Sequence, residues 1–258
     1  MPEDPDKPNR RPRRRGAPGA VDGGPRGRRS GRGRVVLLTV LVVLLVLLVS
    51  LRGIAAFYTD KLWFESLGLG TVWSTALGTR ISLALLGAGV FFSLCWANMV
   101  IAERFAPVFR PVAPADDLIE RYHDLVGHRA ALVRLGLAVF LAVLFGASLG
   151  ASWNEWLLFR NRVDFGETDA TFGVDIGFYV FQLPFITAAL SWLFSVLVVV
   201  LFTTLLVHVV NGGIRFHTQL ERTTPQVKAH VSVLLGMLAL VQAVRYWVGR
   251  YHLTFSTR

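Results

Sequence analysis

The chain has one cysteine, Cys95, and that count excludes an intrachain disulfide and a cysteine-based zinc site. Cys95 lies inside an apolar run, where a small buried side chain is expected rather than a reactive thiol. Lysine is nearly missing: arginine outnumbers it 24 to 3, which reads as coding composition and not as chemistry. Catalytic motifs are missing too. There is no HExxH, no P-loop and no Ser–His–Asp arrangement. Gly68-Leu69-Gly70 lacks the third glycine of a dinucleotide fingerprint, and Asp164-Phe165-Gly166 stands without the other kinase motifs. His123 and His128 are five apart and do not share a helix face. No catalytic, cofactor-binding or metal-ligating residue is assigned, no cofactor is implied, and the balance is against an enzyme.

What the chain does have is apolar length. Of its 258 residues 53% are hydrophobic and the mean hydropathy is +0.50, too apolar for an ordinary soluble domain. Residues 35–51 read VVLLTVLVVLLVLLVSL, about long enough to cross a bilayer as a helix. Four more runs qualify, at 81–102, 131–151, 185–210 and 231–248. None alternates with the period of a barrel strand. Ile54-Ala55-Ala56 faintly resembles a signal-peptide cleavage site, but the first run is too long for a signal core and further runs follow. The expected fold class is an all-α integral membrane protein with five transmembrane helices and a disordered basic N-terminal tail.

The formal charge of +10 is concentrated in that tail, since 11 of the 27 Lys+Arg precede residue 35. Two regions follow: a disordered basic cytoplasmic tail over 1–34, and a polytopic membrane domain over 35–258. The tail suits anionic lipid heads. It has no aromatics to stack on bases, so nucleic acid is disfavoured as a partner. With the N-terminus inside, segments 1–34, 103–134 and 211–230 hold 19 of the 27 basic residues, which favours that orientation. The expected location is the plasma membrane, multi-pass, with a cytoplasmic N-terminus and Arg258 extracytoplasmic. Trp63, Trp73, Trp153, Trp156 and Trp247 all fall at outer boundaries, so segments 57–67 and 172–185 are expected to lie along the membrane surface. In the inner loop, Leu118, Tyr122, Leu125 and Val126 share a face, as in a short amphipathic helix at the cytoplasmic surface.

The polar residues worth following are few. The outer loop 152–184 carries Glu155, Asp164, Glu167, Asp169 and Asp175. Carboxylates can bind a divalent cation, but this spacing is not that of a calcium loop, and a solvated loop is the preferred reading. No Asp or Glu lies deep in a span, which argues against a transporter built around a membrane carboxylate. Arg134 and Arg245 sit near span ends and are expected to extend to the inner and outer interfaces. Asn98, His208 and Gln242 are expected to hydrogen-bond between helices.

One string carries more than composition. Residues 171–185 read TFGVDIGFYVFQLPF, which resembles the FGxDIGFYVFxLPF signature of uncharacterised protein family 0182. Residues 62–80 (LWFESLGLGTVWSTALGTR) and 228–256 (KAHVSVLLGMLALVQAVRYWVGRYHLTFS) are similar to that family's first outer loop and to its fifth span and exit. The resemblance covers essentially everything after residue 35. It implies a large multi-pass bacterial membrane protein, common in actinobacteria, whose members continue into further spans and a long soluble outer region. By that resemblance the chain looks like an N-terminal fragment. The family has no established activity, so it supplies no site residue. Within the string, Gly173 and Gly177 permit tight turns, Pro184 suits the first turn of a helix, and Phe178, Tyr179 and Phe181 can anchor at an interface. The function expected is a membrane anchor or scaffold for an extracytoplasmic domain. The alternatives are a transporter or channel subunit with a polar cavity at Asn98, His208 and Gln242, and a membrane enzyme whose active site lies in a C-terminal region beyond residue 258. Protein partners are not legible.

Overall fold

A computed structural model describes residues 29–105, 129–211, 214 and 223–255. The tail before residue 29 and the amphipathic segment expected at 116–126 lie outside these residues. The chain divides into two units, residues 1–63 and 64–258.

Helix α1 (Arg29–Ser66) begins inside the arginine-rich segment, six residues before the apolar run, and continues well past it. Every side chain from residue 36 to residue 60 is exposed. In water that stripe-free surface of Val and Leu would be prohibitive; against lipid tails it costs nothing. Segment 57–67, expected to lie along the membrane surface, belongs to α1 as far as Ser66. A helix already under way satisfies each new backbone N–H, and Phe57–Ser66 contains no Pro or Gly to stop it.

The second unit holds α2 (Gly70–Arg104), α3 (Ala130–Gly150), α4 (Trp153–Arg160), a π-helical turn (Phe178–Gln182), α5 (Leu183–Val210), α6 (Pro225–Gly249) and a closing 3₁₀ turn (Arg250–Phe255). Together with α1, five helices are long and apolar enough to cross a membrane. Among the described residues there is no strand, only two isolated bridges. The protein is all-α, as the apolar runs require.

Helix α2 is the centre of this unit. Its buried residues Leu83, Gly87, Phe91, Cys95 and Met99 recur every four positions, one ridge of an α-helix surface. That ridge packs with Ala138 and Ala142 of α3, Val196 and Val200 of α5, and Leu234 of α6. The α2–α3 contact is close because α3 offers glycine where α2 offers alanine: a Cβ on Gly146 would collide with the Ala84 carbonyl, and one on Gly150 would lie 2.8 Å from the Arg80 carbonyl. Phe91 and Phe145 stack across the same interface, centroids 4.6 Å apart. Trp192 of α5 donates its indole N–H to the Phe145 carbonyl of α3 at 2.8 Å, tying a third helix to the pair.

Caps follow the local sequence. Thr224 precedes α6 with its hydroxyl accepting the Val227 N–H, and Pro225 fills the first helical position. Pro184 stands in the first turn of α5, as its sequence position predicts.

Candidate functional site: a capped loop before helix α5 and a histidine pair at its end

The segment leading into α5 is built on two carboxylates. Asp175 accepts the Phe165 N–H at 3.1 Å and the Gly177 N–H at 2.6 Å on Oδ1, and the Gly166 N–H at 2.9 Å on Oδ2. Asp169 accepts the N–H groups of Thr171 and Phe172 on Oδ1, at 2.7 and 2.8 Å. Its Oδ2 takes the Val174 N–H at 3.2 Å and the Tyr179 hydroxyl at 2.7 Å. A loop between two long helices has many backbone donors and no ladder to satisfy them, and short acidic side chains supply the acceptors locally.

Glycine serves this loop in two ways. Gly173 turns the chain at φ +66, where a side chain would be strained. Gly177 has an ordinary φ of −59, but a Cβ there would strike the Val163 carbonyl. The turn needs a positive φ at the first and close approach at the second.

The electrostatics agree with the geometry. Desolvation pushes the Asp169 carboxyl up, but hydrogen bonds from the Phe172 N–H, the Tyr179 hydroxyl, and the Val174 and Thr171 N–H groups outweigh it and hold the group down at about 2. The Phe165 N–H, followed by those of Gly177 and Gly166, holds Asp175 below the usual carboxylate range against a smaller opposing desolvation. Both carboxylates accept backbone N–H groups of their own loop. Among the described residues no three His, Cys, Asp or Glu side chains converge as a metal would need.

The aromatics of the signature pack on other rings. Tyr179 is 7% exposed and buries its hydroxyl on Asp169. Phe172 and Phe178 meet the ring of Tyr251, in the turn after α6, edge-on with centroids 5.2 and 5.1 Å away. Phe181 packs on Phe165 at 5.7 Å. Tyr251 offers Phe172 and Phe178 an aromatic partner from 79 and 73 residues away, which no local pattern announces.

At the C-terminal end of α5 the chain places a polar row in an apolar surround. His208 is fully buried and its Nε2 lies 3.2 Å from Nδ1 of His230 on α6. His230 Nε2 lies 2.9 Å from Oδ1 of Asn98 on α2. The Asn98 amide donates through Nδ2 to the Leu94 carbonyl at 2.7 Å, which turns Oδ1 toward His230. With that oxygen as acceptor, the neutral arrangement runs one way: His208 Nε2–H donates to His230 Nδ1, and His230 Nε2–H donates to Asn98. His208 Nδ1 is then left as a buried acceptor with no hydrogen-bond partner, as is the Thr204 hydroxyl one turn earlier. Phe105 closes the row with its ring edge-on to His230 at 6.0 Å.

Two of the three expected bridging residues therefore meet, Asn98 and His208, through a third that the sequence reading missed. His230 falls one residue before the apolar run of α6 and reads as loop until the helix is seen to begin at Pro225. Gln242 does not join them. It accepts from Arg245 on its own helix at 2.9 Å, toward the opposite end of α6. Arg134, in the first turns of α3, pairs with Glu103 at the end of α2. Arg245 reaches back along α6, away from the helix end, with its guanidinium over the Phe194 ring of α5 at 4.8 Å. Cys95 is buried as expected, its sulfur 3.8 Å from the Thr203 hydroxyl.

The sequence pattern of the Uncharacterised protein family (UPF0182) matches residues 37–258. A UPF0182 protein of Nocardioides sp. is 38% identical over 204 residues, 79% of this chain and 20% of the relative. UPF0182 proteins of Frankia casuarinae and Thermobifida fusca are 38% and 37% identical over 78% and 79% of the chain, again covering 20% of each relative. The chain thus spans about a fifth of the length of the curated relatives it matches. No solved structure matches.

Proposed function

The chain belongs to the uncharacterised family UPF0182, and from that premise we propose that it is the membrane anchor and scaffold of a longer protein, holding a rigid platform on the outer face of the plasma membrane. The observation that carries this reading is the commitment of the family string, with Asp169 just before it, to structure. Asp169, Asp175, Gly173, Gly177, Tyr179 and Phe178 all cap, turn or pack the loop that joins α4, α5 and the end of α6. The great length of the relatives supports the anchor role, because most of each lies beyond the matched part.

In this reading the N-terminus is cytoplasmic, where its basic residues meet anionic lipid heads, and Arg258 is extracytoplasmic. Single cysteines placed at Glu167 and at Gln219 in a Cys95→Ala background test the orientation. A membrane-impermeant maleimide should label the first and not the second in intact cells.

A second reading, a transporter or channel subunit, is favoured by one feature, the buried His208–His230–Asn98 row with its unfilled acceptor. Reconstitution into vesicles separates the two. The scaffold reading expects proton and cation leakage equal to that of protein-free vesicles. A flux that disappears in His208→Leu would replace it with the transporter reading.

A further inference from the structure

A cavity of about 210 Å³ opens between α5 and α6 near the end of α6, lined by Thr187, Ser191, Gln242, Arg245 and His252, with Leu190 and Tyr246 among its apolar walls. The geometry points to this cavity as a binding site for a phosphate-type oxyanion, of the kind an anionic phospholipid headgroup or free phosphate presents. Four observations carry it.

First, Arg245 is half-buried on a membrane-spanning helix, and no residue lining the cavity is acidic. Of its five N–H donors one goes to Gln242 Oε1 at 2.9 Å. A guanidinium in a low-dielectric wall without a counter-ion is costly, and an anion is what offsets that cost.

Second, the side chain is held in place for the task. Its guanidinium is fixed by Gln242 and by the Phe194 ring at 4.8 Å. That presents a fork of donors to the cavity, the geometry that suits phosphate and carboxylate oxygens.

Third, the other polar lining groups can add donors. Thr187 Oγ1 lies 3.2 Å from His252 Nε2 across the mouth, which joins α5 to the turn after α6. Arg250 nearby is spent elsewhere, stacked over Trp247 at 4.4 Å and bonded to the Tyr251 hydroxyl at 2.7 Å.

Fourth, the surroundings are those of a lipid site. Tyr246 is 75% exposed and Leu235, three turns down the same face of α6, 51%, so an acyl chain can lie along α6 while the headgroup fills the cavity.

The test uses the full chain in neutral detergent, with phosphatidylglycerol, phosphatidylcholine and inorganic phosphate as separate probes. Native mass spectrometry counts bound lipid, and thermal melting reports stabilisation. The wild type should retain one phosphatidylglycerol beyond whatever Arg245→Gln retains, with affinity about tenfold lower in the variant, and should show no such preference for phosphatidylcholine. If millimolar phosphate raises the melting temperature of the wild type and not of Arg245→Gln, the free anion is a sufficient ligand. Binding by the basic tail is common to both proteins and cancels. Equal retention of phosphatidylglycerol by the two, with no phosphate effect on either, overturns the proposal. If Arg245→Gln does not fold, the double variant Thr187→Val, Ser191→Ala keeps the guanidinium and removes two lining hydroxyls. It should melt as the wild type does in detergent alone yet bind phosphatidylglycerol more weakly, and unchanged binding would again overturn the site.

Discussion

Gly136 and Gly146 lie on the same helix, α3, ten residues apart, and they should respond oppositely to the same substitution. A Cβ on Gly136 meets nothing within 4 Å. One on Gly146 would lie 2.8 Å from the Ala88 Cβ and closer still to the Ala84 carbonyl of α2. Carbon–carbon contacts are comfortable at about 3.5–4.0 Å, so Gly146→Ala must move α2 and α3 apart by about 1 Å. That separation loosens the Phe91–Phe145 stack and the Gly150 contact together. Overpacking of this kind costs about 1–3 kcal/mol. Replacing glycine by alanine inside a helix returns about 0.8–1 kcal/mol at either position. The net expectation is a loss of up to about 2 kcal/mol for Gly146→Ala, from the overpacking cost less the propensity gain. For Gly136→Ala the expectation is a gain of up to about 1 kcal/mol. A gap of about 2 kcal/mol corresponds to a melting difference of about 4–8 °C for a chain of this size. Thermal unfolding of both variants in one detergent measures it. Equal melting temperatures would refute the claim that α2 and α3 meet through Gly146.

Other perturbations test the remaining contacts. Asp169 and Asp175 have folded-state values below their unfolded ones, so the order they give the loop is complete at neutral pH. It should be lost as pH falls from about 4 toward the Asp169 value of about 2. Amide exchange at Thr171, Phe172 and Val174 should speed up in that window, and a flat profile would contradict the caps. His230→Leu strands Asn98 Oδ1 and leaves His208 without its partner, which should destabilise by about 1–3 kcal/mol. A double-mutant cycle between Asn98→Leu and His230→Leu should return a coupling of about 0.6–1.7 kcal/mol, typical of hydrogen bonds between membrane helices. Trp192→Phe removes the indole donor to the Phe145 carbonyl while keeping a ring, and should lower stability by about 1 kcal/mol in the same unfolding assay.

The elements were legible because each rests on a property that residues carry singly. Hydropathy summed over a window locates all five long helices. Their ends were not legible by the same means. Helix α1 runs on to Ser66 and α2 begins at Gly70, where the apolar runs end at 51 and begin at 81. Polar residues continue a helix as readily as apolar ones once its hydrogen bonds are in register, so composition marks the lipid-facing part and not the helix. The close α2–α3 contact was within reach, since Gly146 and Gly150 stand four apart on one face.

The partners of polar side chains were a different matter. Asn98, His208 and Gln242 looked alike as single polar groups in apolar runs. The fold separates them: Asn98 and His230 meet from positions 132 residues apart, while Gln242 serves only its neighbour three residues on. Nothing in the spacing distinguishes these outcomes, because they depend on which helix faces present themselves to each other. The same holds for the acidic loop. Asp169 and Asp175 read as two of five carboxylates, and only the backbone around them shows that their oxygens are taken by N–H groups. Among the described residues, two places in the membrane segments stand out once such internal pairings are removed. One is the acceptor at His208 Nδ1 beside the Thr204 hydroxyl, and the other is the Arg245 guanidinium in a cavity with no acidic lining residue. An anchor would be expected to satisfy its buried groups internally, so these are the two places in the described membrane segments at which to probe for a role beyond anchoring.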